Sequence, residues 1–122
     1  MSSITFFRTL FFTALGVSLY LFLKEGLNSG ISWPHFDKVA HFIVFLGLSL
    51  LFDLSFNRSK PIALAFALGY GVAVEVLQMS FTTRQGSIGD VIADIAGSVS
   101  YYVFFQTWVR DLVSKLIPIK PI

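Results

Sequence analysis

The run PIALAFALGYGVAVEVLQMSF, residues 61–81, decides the fold class. It is almost wholly apolar, and its only charged residue is Glu75. A helix needs about 20 apolar residues to cross the hydrocarbon core of a bilayer, and this run is long enough. Three further apolar runs of similar length cover residues 4–23, 39–56 and 88–109. The sequence therefore predicts four membrane-spanning helices.

The composition also favours a membrane protein. Of the 122 residues, 55% are hydrophobic and 13% are charged, whereas soluble domains contain about 25% charged residues. A soluble domain of this size has a high surface-to-volume ratio and could not bury so much apolar surface. In lipid only helices and closed barrels satisfy the hydrogen-bonding groups of the backbone, and the four apolar runs cannot close a barrel. We therefore predict an all-α, four-helix integral membrane protein, with residues 1–122 forming a single domain.

Several classes of function are disfavoured by what the sequence lacks. It contains no cysteine, which excludes disulfides, thiolate nucleophiles and Cys-based metal sites. The net charge of +2 comes from basic residues at the ends of apolar runs, not from a patch that would bind nucleic acid. The sequence contains no G-x-S-x-G or S-x-x-K motif, which would indicate a serine nucleophile. It also contains no obvious inverted repeat, which would indicate a transporter.

The positions of the basic residues predict the orientation. In a four-helix chain the N-terminus, the loop NRSK and the C-terminal segment share one face. Cytoplasmic segments carry an excess of Lys and Arg, so both termini are predicted to be cytoplasmic. Asp53 is then expected at the inner headgroups. The inner face has six basic residues and the outer face three: Arg8, Arg58, Lys60, Arg110, Lys115 and Lys120 against Lys24, Lys38 and Arg84.

Polar residues near the predicted outer face follow helical spacing. Glu75 lies roughly 9 Å from the outer end of its helix, and Gln78 follows on the same face. A carboxyl group in hydrocarbon costs about 3 kcal/mol or more unless it has a partner or reaches water, so these groups are expected to share one site. The other polar groups at this depth are Asp37, Lys38 and His41 on the second helix, Arg84 in the loop TTRQGS, and Asp90 and Asp94 on the fourth helix.

Two pairs of small residues predict close packing of the third helix against the fourth. Gly69 and Ala73 form one small-xxx-small step, and Ala93 and Gly97 form another. Such steps let helix backbones approach closely in lipid.

Three stretches, in this order and spacing, resemble the VanZ-like family of small bacterial membrane proteins. They are DKVAHF at the start of the second helix, GYGVAVEVLQ in the third and RQGSIGDVIADIAG leading into the fourth. The resemblance covers about residues 37–97 and implies that the family's polar motif falls on the eight polar groups named above. One departure is Asp94, where the family often has an asparagine.

The resemblance implies a role in the bacterial cell envelope, in a multi-pass protein of the cytoplasmic membrane. The family is named for a protein associated with resistance to teicoplanin, a glycopeptide antibiotic that acts outside the cytoplasmic membrane on cell-wall precursors. The predicted site lies on that side. We therefore expect an interaction with an envelope lipid or a lipoglycopeptide, with teicoplanin-type antibiotic resistance as one form of this function.

In the first interpretation the polar groups form a binding site. Lys38 and Arg84 would hold phosphate or carboxylate groups, and the apolar helix walls would hold acyl chains. Asp37, Gln78 and Asp94 complete the expected ligand-binding set. Besides the lipid bilayer, the expected partner is therefore the envelope lipid or lipoglycopeptide itself.

Two other interpretations stay open. In one, the chain is an enzyme, and His41, Glu75 and Asp90 exchange protons with a lipid-linked envelope substrate. In the other, the polar groups only satisfy one another and fix the helix register. No cofactor is predicted; a divalent cation held by these three residues and Asp94 is a lesser alternative, because their spacing matches no recognised ligand motif. The sequence leaves the oligomeric state open.

Reporter fusions test the predicted orientation. Because the basic residues favour cytoplasmic termini, a fusion at Ser59 should report the cytoplasm and one at Gly86 the outside. The measurement is the activity of a phosphatase reporter and of a fluorescent reporter at each position. The reverse pattern would place the polar groups at the inner face and remove the link to cell-wall precursors.

Overall fold

The computed structural model describes residues 2–23, 36–81 and 88–117, and nearly all of these residues are helical. Four stretches are long and apolar enough to span a membrane, so the prediction of an all-α protein with four such helices is confirmed. The elements are α1 (Ser3–Leu23), α2 (Phe36–Phe56), α3 (Lys60–Phe81), α4 (Ile88–Ser100) and α5 (Gln106–Ser114), with a π-helical segment, Tyr101–Phe105, between the last two.

The fourth span is longer than the sequence predicted. The elements α4, the π segment and α5 follow one another without a break and form one span, Ile88–Ser114, of 27 residues. Within it the backbone N–H of Gln106 donates to the carbonyl oxygen of Tyr101, five residues earlier. A π turn inserts extra residues into a helix and changes which faces the flanking segments present. The register of α5 relative to α4 is therefore set by this segment.

Helix α2 is central among the described elements. It contacts α1, α3 and each part of the fourth span, with α4 as its most extensive neighbour. Helix α3 packs against α4 and α1. Two apolar clusters fill the bundle, one around Phe45 and Val74 and the other around Leu54 and Tyr101. The polar side chains described below lie at the two ends of this arrangement.

Gly97 sets the separation between α2 and α4. A β-carbon at this position would collide with the carbonyl oxygen of Phe42 and would lie 3.2 Å from the backbone nitrogen of Leu46. On the neighbouring turn the hydroxyl of Ser49 donates to that of Ser98 at 2.7 Å. Small residues are what allow such a close approach in a membrane bundle.

The prediction that both small-residue steps join α3 to α4 is wrong. Gly69 and Ala73 are exposed, and no described atom would lie within 4 Å of a β-carbon at Gly69. In the other step, the atoms nearest to a β-carbon at Gly97 belong to α2. The reason is helix register: the inward face of α3 is formed by residues at i, i+3, i+4 and i+7, here Gly71, Val74, Glu75 and Gln78.

Substitution of Gly97 by alanine should destabilise the protein by about 1–3 kcal/mol, the usual cost of overpacking. The added methyl group would meet backbone atoms of α2, which cannot rotate away as a side chain would. The measurement is the Tm of the purified protein in detergent. Gly69→Ala is the matched control and should leave Tm unchanged or slightly raised, because alanine favours helix more than glycine does. Equal Tm values for the two variants would contradict the proposed packing.

Candidate functional site

Four titratable side chains from three helices meet at the end of the bundle where α1 and α3 end and α2 and α4 begin. They are His41 on α2, Glu75 on α3, and Asp90 and Asp94 on α4, and all four are buried. We call these four residues the polar site. The structure thus brings together four of the eight groups that the sequence assigned to one depth, and their chemical roles stay predictions.

His41 lies at the centre of the polar site, with an exposed fraction of 1%. Its Nδ1 is 2.6 Å from Oδ1 of Asp94, and its Nε2 is 3.7 Å from Oδ2 of Asp90. The imidazole also stacks on the ring of Phe22 from α1, with centroids 4.3 Å apart. Because an ionised carboxylate only accepts hydrogen bonds, Nδ1 is the donor to Asp94. The remaining nitrogen, Nε2, therefore faces Asp90.

A glycine on α3 makes room for the carboxylate of Asp94, which has no exposed surface. A β-carbon at Gly71 would lie 2.8 Å from Oδ2 of Asp94, closer than such atoms normally approach. The residue after Tyr70 must therefore lack a side chain if Asp94 is to reach His41. Gly71 is the member of GYGVAVEVLQ on which this contact depends.

Glu75 from α3 and Asp90 from α4 complete the group. His41, Glu75 and Asp90 each offer one nitrogen or oxygen atom, and these three atoms lie within 4.8 Å of one another. The second oxygen of Asp90, Oδ1, lies 3.6 Å from Nζ of Lys38. The side chain of Lys38 is 43% exposed, so it connects the buried acids with the surface.

The polar site is acidic. Three carboxyl groups are accompanied by one ammonium group, from Lys38, and one imidazole. If His41 is neutral, the formal charge of the set is −2. This arrangement favours cationic ligands over direct contact with phosphate or carboxylate groups.

The other predicted ligand-binding residues have different positions. Gln78 is buried, and its Nε2 donates to the backbone oxygen of Phe22 at 2.7 Å. It therefore supports the ring that stacks on His41 and ties α3 to the end of α1. The side chain of Asp37 and the whole of Arg84 lie outside the described residues.

A second polar cluster, around Asp53, lies at the opposite end of the bundle. This carboxylate is only 1% exposed and is enclosed by the protein, while its depth at the inner headgroups stays a prediction. Arg110 donates to both of its oxygens, from Nε at 3.0 Å and from Nη2 at 2.9 Å. The hydroxyl of Tyr101 and the amide of Gln106 donate to it as well, at 2.7 and 3.2 Å. Each oxygen of Asp53 thus accepts two hydrogen bonds, and the cluster is a closed clamp between α2 and the fourth span.

One sequence signal could have identified this clamp. Asp53 lies within an apolar run, and a charge in such a run is expected to pair with an opposite charge at the same depth. Arg110 directly follows the fourth run, although the orientation argument treats it only as one of six basic residues at the inner face. The contribution of Tyr101 and Gln106 depends on the π segment, for which the sequence gives no clear pattern.

The fold and the polar site together define a small, all-helical, multi-pass membrane protein with a buried acid and histidine site at one end. The chain belongs to the VanZ/LLP1 family, whose model matches residues 2–110. This confirms the resemblance and extends it beyond residues 37–97, so that the first helix is included. No curated protein and no solved structure matches the chain.

Removal of the carboxylate at Asp53 should lower the free energy of unfolding by about 3–5 kcal/mol, because breaking a buried ion pair leaves its partner charge uncompensated. The measurement is the Tm of Asp53→Ala in detergent. Asp111→Ala is the control, since Asp111 is an exposed acid next to Arg110 in the chain. A Tm for Asp53→Ala within error of this control would show that the clamp contributes little to stability.

Proposed function

We propose that this chain interacts, at the outer face of the bacterial cytoplasmic membrane, with an envelope lipid or a lipoglycopeptide. The observation that carries the proposal is the convergence of three helices on one buried polar site, with Lys38 leading from that site to the surface. Ionisable groups inside a membrane protein are costly and commonly mark functional sites. Family membership supports the general class of protein but does not identify the ligand.

The outward direction of the polar site is part of the proposal. Arg8 donates to the backbone oxygen of Ser55, and Arg110 binds Asp53, so both basic residues lie at the end of the bundle opposite to His41. At that same end, Arg58 lies in the connection between α2 and α3, and Lys60 is the first residue of α3. An excess of basic residues is typical of the cytoplasmic side, which supports placing the polar site outside.

An apolar groove supports a ligand with an acyl chain. The groove has a volume of about 260 Å³ and lies between α1 and α2. Among its lining residues, Leu21 precedes Phe22 in the chain and Ile43 is two residues from His41. An acyl chain in this groove would therefore bring its headgroup near the polar site. A lipid and a lipoglycopeptide both combine these two chemical parts.

A second candidate function is acid–base catalysis on a lipid-linked envelope substrate. It is favoured by the contact between His41 and Asp94, because a carboxylate that binds Nδ1–H fixes the imidazole and stabilises its protonated form. The other nitrogen would then exchange the proton with substrate. Glu75 or Asp90 would supply the second proton-transfer group. Formation of a product from a defined substrate would distinguish this function from binding.

Variants of the polar site test the proposed function. In cells that express Glu75→Gln, His41→Ala or Asp90→Asn, the inhibitory concentration of teicoplanin should fall to that of cells without the protein, while the wild type raises it. Expression level and Tm are measured in parallel. Asp111→Asn, an exposed acid far from the polar site, is the control and should behave as the wild type.

Each result separates the interpretations. Variants that fold normally and lose the phenotype support a binding or catalytic site. Three variants that simply unfold would favour a purely structural cluster. A wild type that leaves teicoplanin susceptibility unchanged would contradict the antibiotic form of the proposal.

A further inference from the structure

We infer that His41, Glu75 and Asp90 bind a divalent transition-metal cation, with Asp94 as the residue that positions His41. The inference goes beyond the proposed function, which names no metal. One imidazole nitrogen and two carboxylates form a ligand set that suits Zn²⁺ or Mn²⁺. Mg²⁺ and Ca²⁺ prefer ligand sets made of oxygen alone.

The distances between the ligand atoms are close to those of a metal site. Two ligands that each lie 2.0–2.2 Å from a tetrahedral ion are separated by about 3.4 Å. Nε2 of His41 and Oδ2 of Asp90 are 3.7 Å apart, and the atoms of all three residues lie within 4.8 Å. Side-chain movements of about 1 Å would bring the three atoms into coordination.

His41 presents the correct nitrogen to the metal. Metal-binding histidines usually donate their other ring N–H to a carboxylate, which fixes the tautomer and makes the ligand nitrogen more basic. Asp94 accepts from Nδ1 at 2.6 Å and provides this interaction. Nε2 is buried, points toward Asp90 and has no hydrogen-bond partner among the described residues. A buried nitrogen of this kind is costly unless it is satisfied, and coordination would satisfy it.

The charge of the polar site also favours a cation. Glu75, Asp90 and Asp94 place three carboxylates in one buried volume, and Lys38 supplies one positive charge at its edge. Bringing like charges together away from water is expensive unless they are compensated. A divalent ion would neutralise the formal charge of −2.

Three protein ligands leave at least one coordination position for an outside molecule. Through this position the ion could accept an oxygen of an anionic headgroup, which the carboxylates alone would repel. This last step rests on the proposed function. Metal binding itself does not, and it can be measured without any lipid or antibiotic.

The test uses the purified full chain in detergent, after removal of any polyhistidine tag and after treatment with a chelator. Titration with Zn²⁺ and with Mn²⁺ in a calorimeter should give one ion per chain for at least one of the two metals and a higher Tm in its presence. Mg²⁺ at the same concentrations should leave Tm unchanged. Replacement by Co²⁺ should give the visible absorption of a coordinated ion, which reports binding independently of stability.

Variants assign the binding to the polar site. Glu75→Gln and Asp90→Asn each remove a charge without changing side-chain size, so they should remain folded and lose binding. Asp94→Asn should retain one ion per chain with an affinity lower by about 10–100-fold, as expected when the group behind a ligand histidine is altered. His35→Ala is the matched control, because it removes the only other histidine of the sequence.

Two results would overturn the inference. One is the absence of stoichiometric binding to the folded wild type for both Zn²⁺ and Mn²⁺. The other is binding that persists in Glu75→Gln and Asp90→Asn but disappears in His35→Ala, since this would place the ion outside the polar site. A wild type that binds metal but leaves teicoplanin susceptibility unchanged would instead count against the antibiotic form of the proposed function alone.

Discussion

A charge buried within a membrane bundle must find its partner inside the protein, and both ends of α2 satisfy this constraint through the fourth span. At one end His41 is hydrogen-bonded to Asp94, and at the other Asp53 is bound by Arg110. Between these contacts the absence of a side chain at Gly97 lets the backbones of the two helices pack closely. The pairing of α2 with the fourth span therefore positions the central contact of each polar cluster.

The two polar clusters differ in a way that bears on function. Around Asp53 each carboxylate oxygen accepts two hydrogen bonds, and a cation, a phenol and an amide supply them. In that cluster Arg110 balances the charge of Asp53, and both carboxylate oxygens are hydrogen-bonded. The polar site around His41 has an excess of acid and an imidazole nitrogen without a hydrogen bond among the described residues. An imbalance of this kind in a buried site is a common property of groups that bind ions or move protons.

Some features of the fold and of the polar site could be predicted from the sequence, and others could not. The number and approximate bounds of the spans followed from the apolar runs, since the bilayer sets a fixed distance for each span, whereas the full length of the fourth span did not. The depth of His41, Glu75 and Asp90 followed from their positions along these runs, and the structure places them together. The partner of Gly97 did not follow, because a small-xxx-small step defines a face of one helix without naming the helix that covers it. The role of Gly71 was missed for a similar reason: it matters only for the side chain of Asp94, which comes from another helix.

By itself the sequence determined that the chain is helical, that it has four spans, that its polar groups lie at one depth near the chain's predicted outer face, and that it resembles a known family. These properties depend on spacing along the chain, which the bilayer thickness and the helical repeat convert directly into position. Only the tertiary structure decided that Asp94 accepts a hydrogen bond from Nδ1 of His41 and that Phe22 stacks on the imidazole. It also decided that Gln78 donates to the backbone of Phe22 and that Asp53 and Arg110 form a closed clamp. The hydrogen bonds among these contacts join residues more than 50 positions apart. Their formation depends on the rotation of each helix about its axis, which the packing of neighbouring helices fixes.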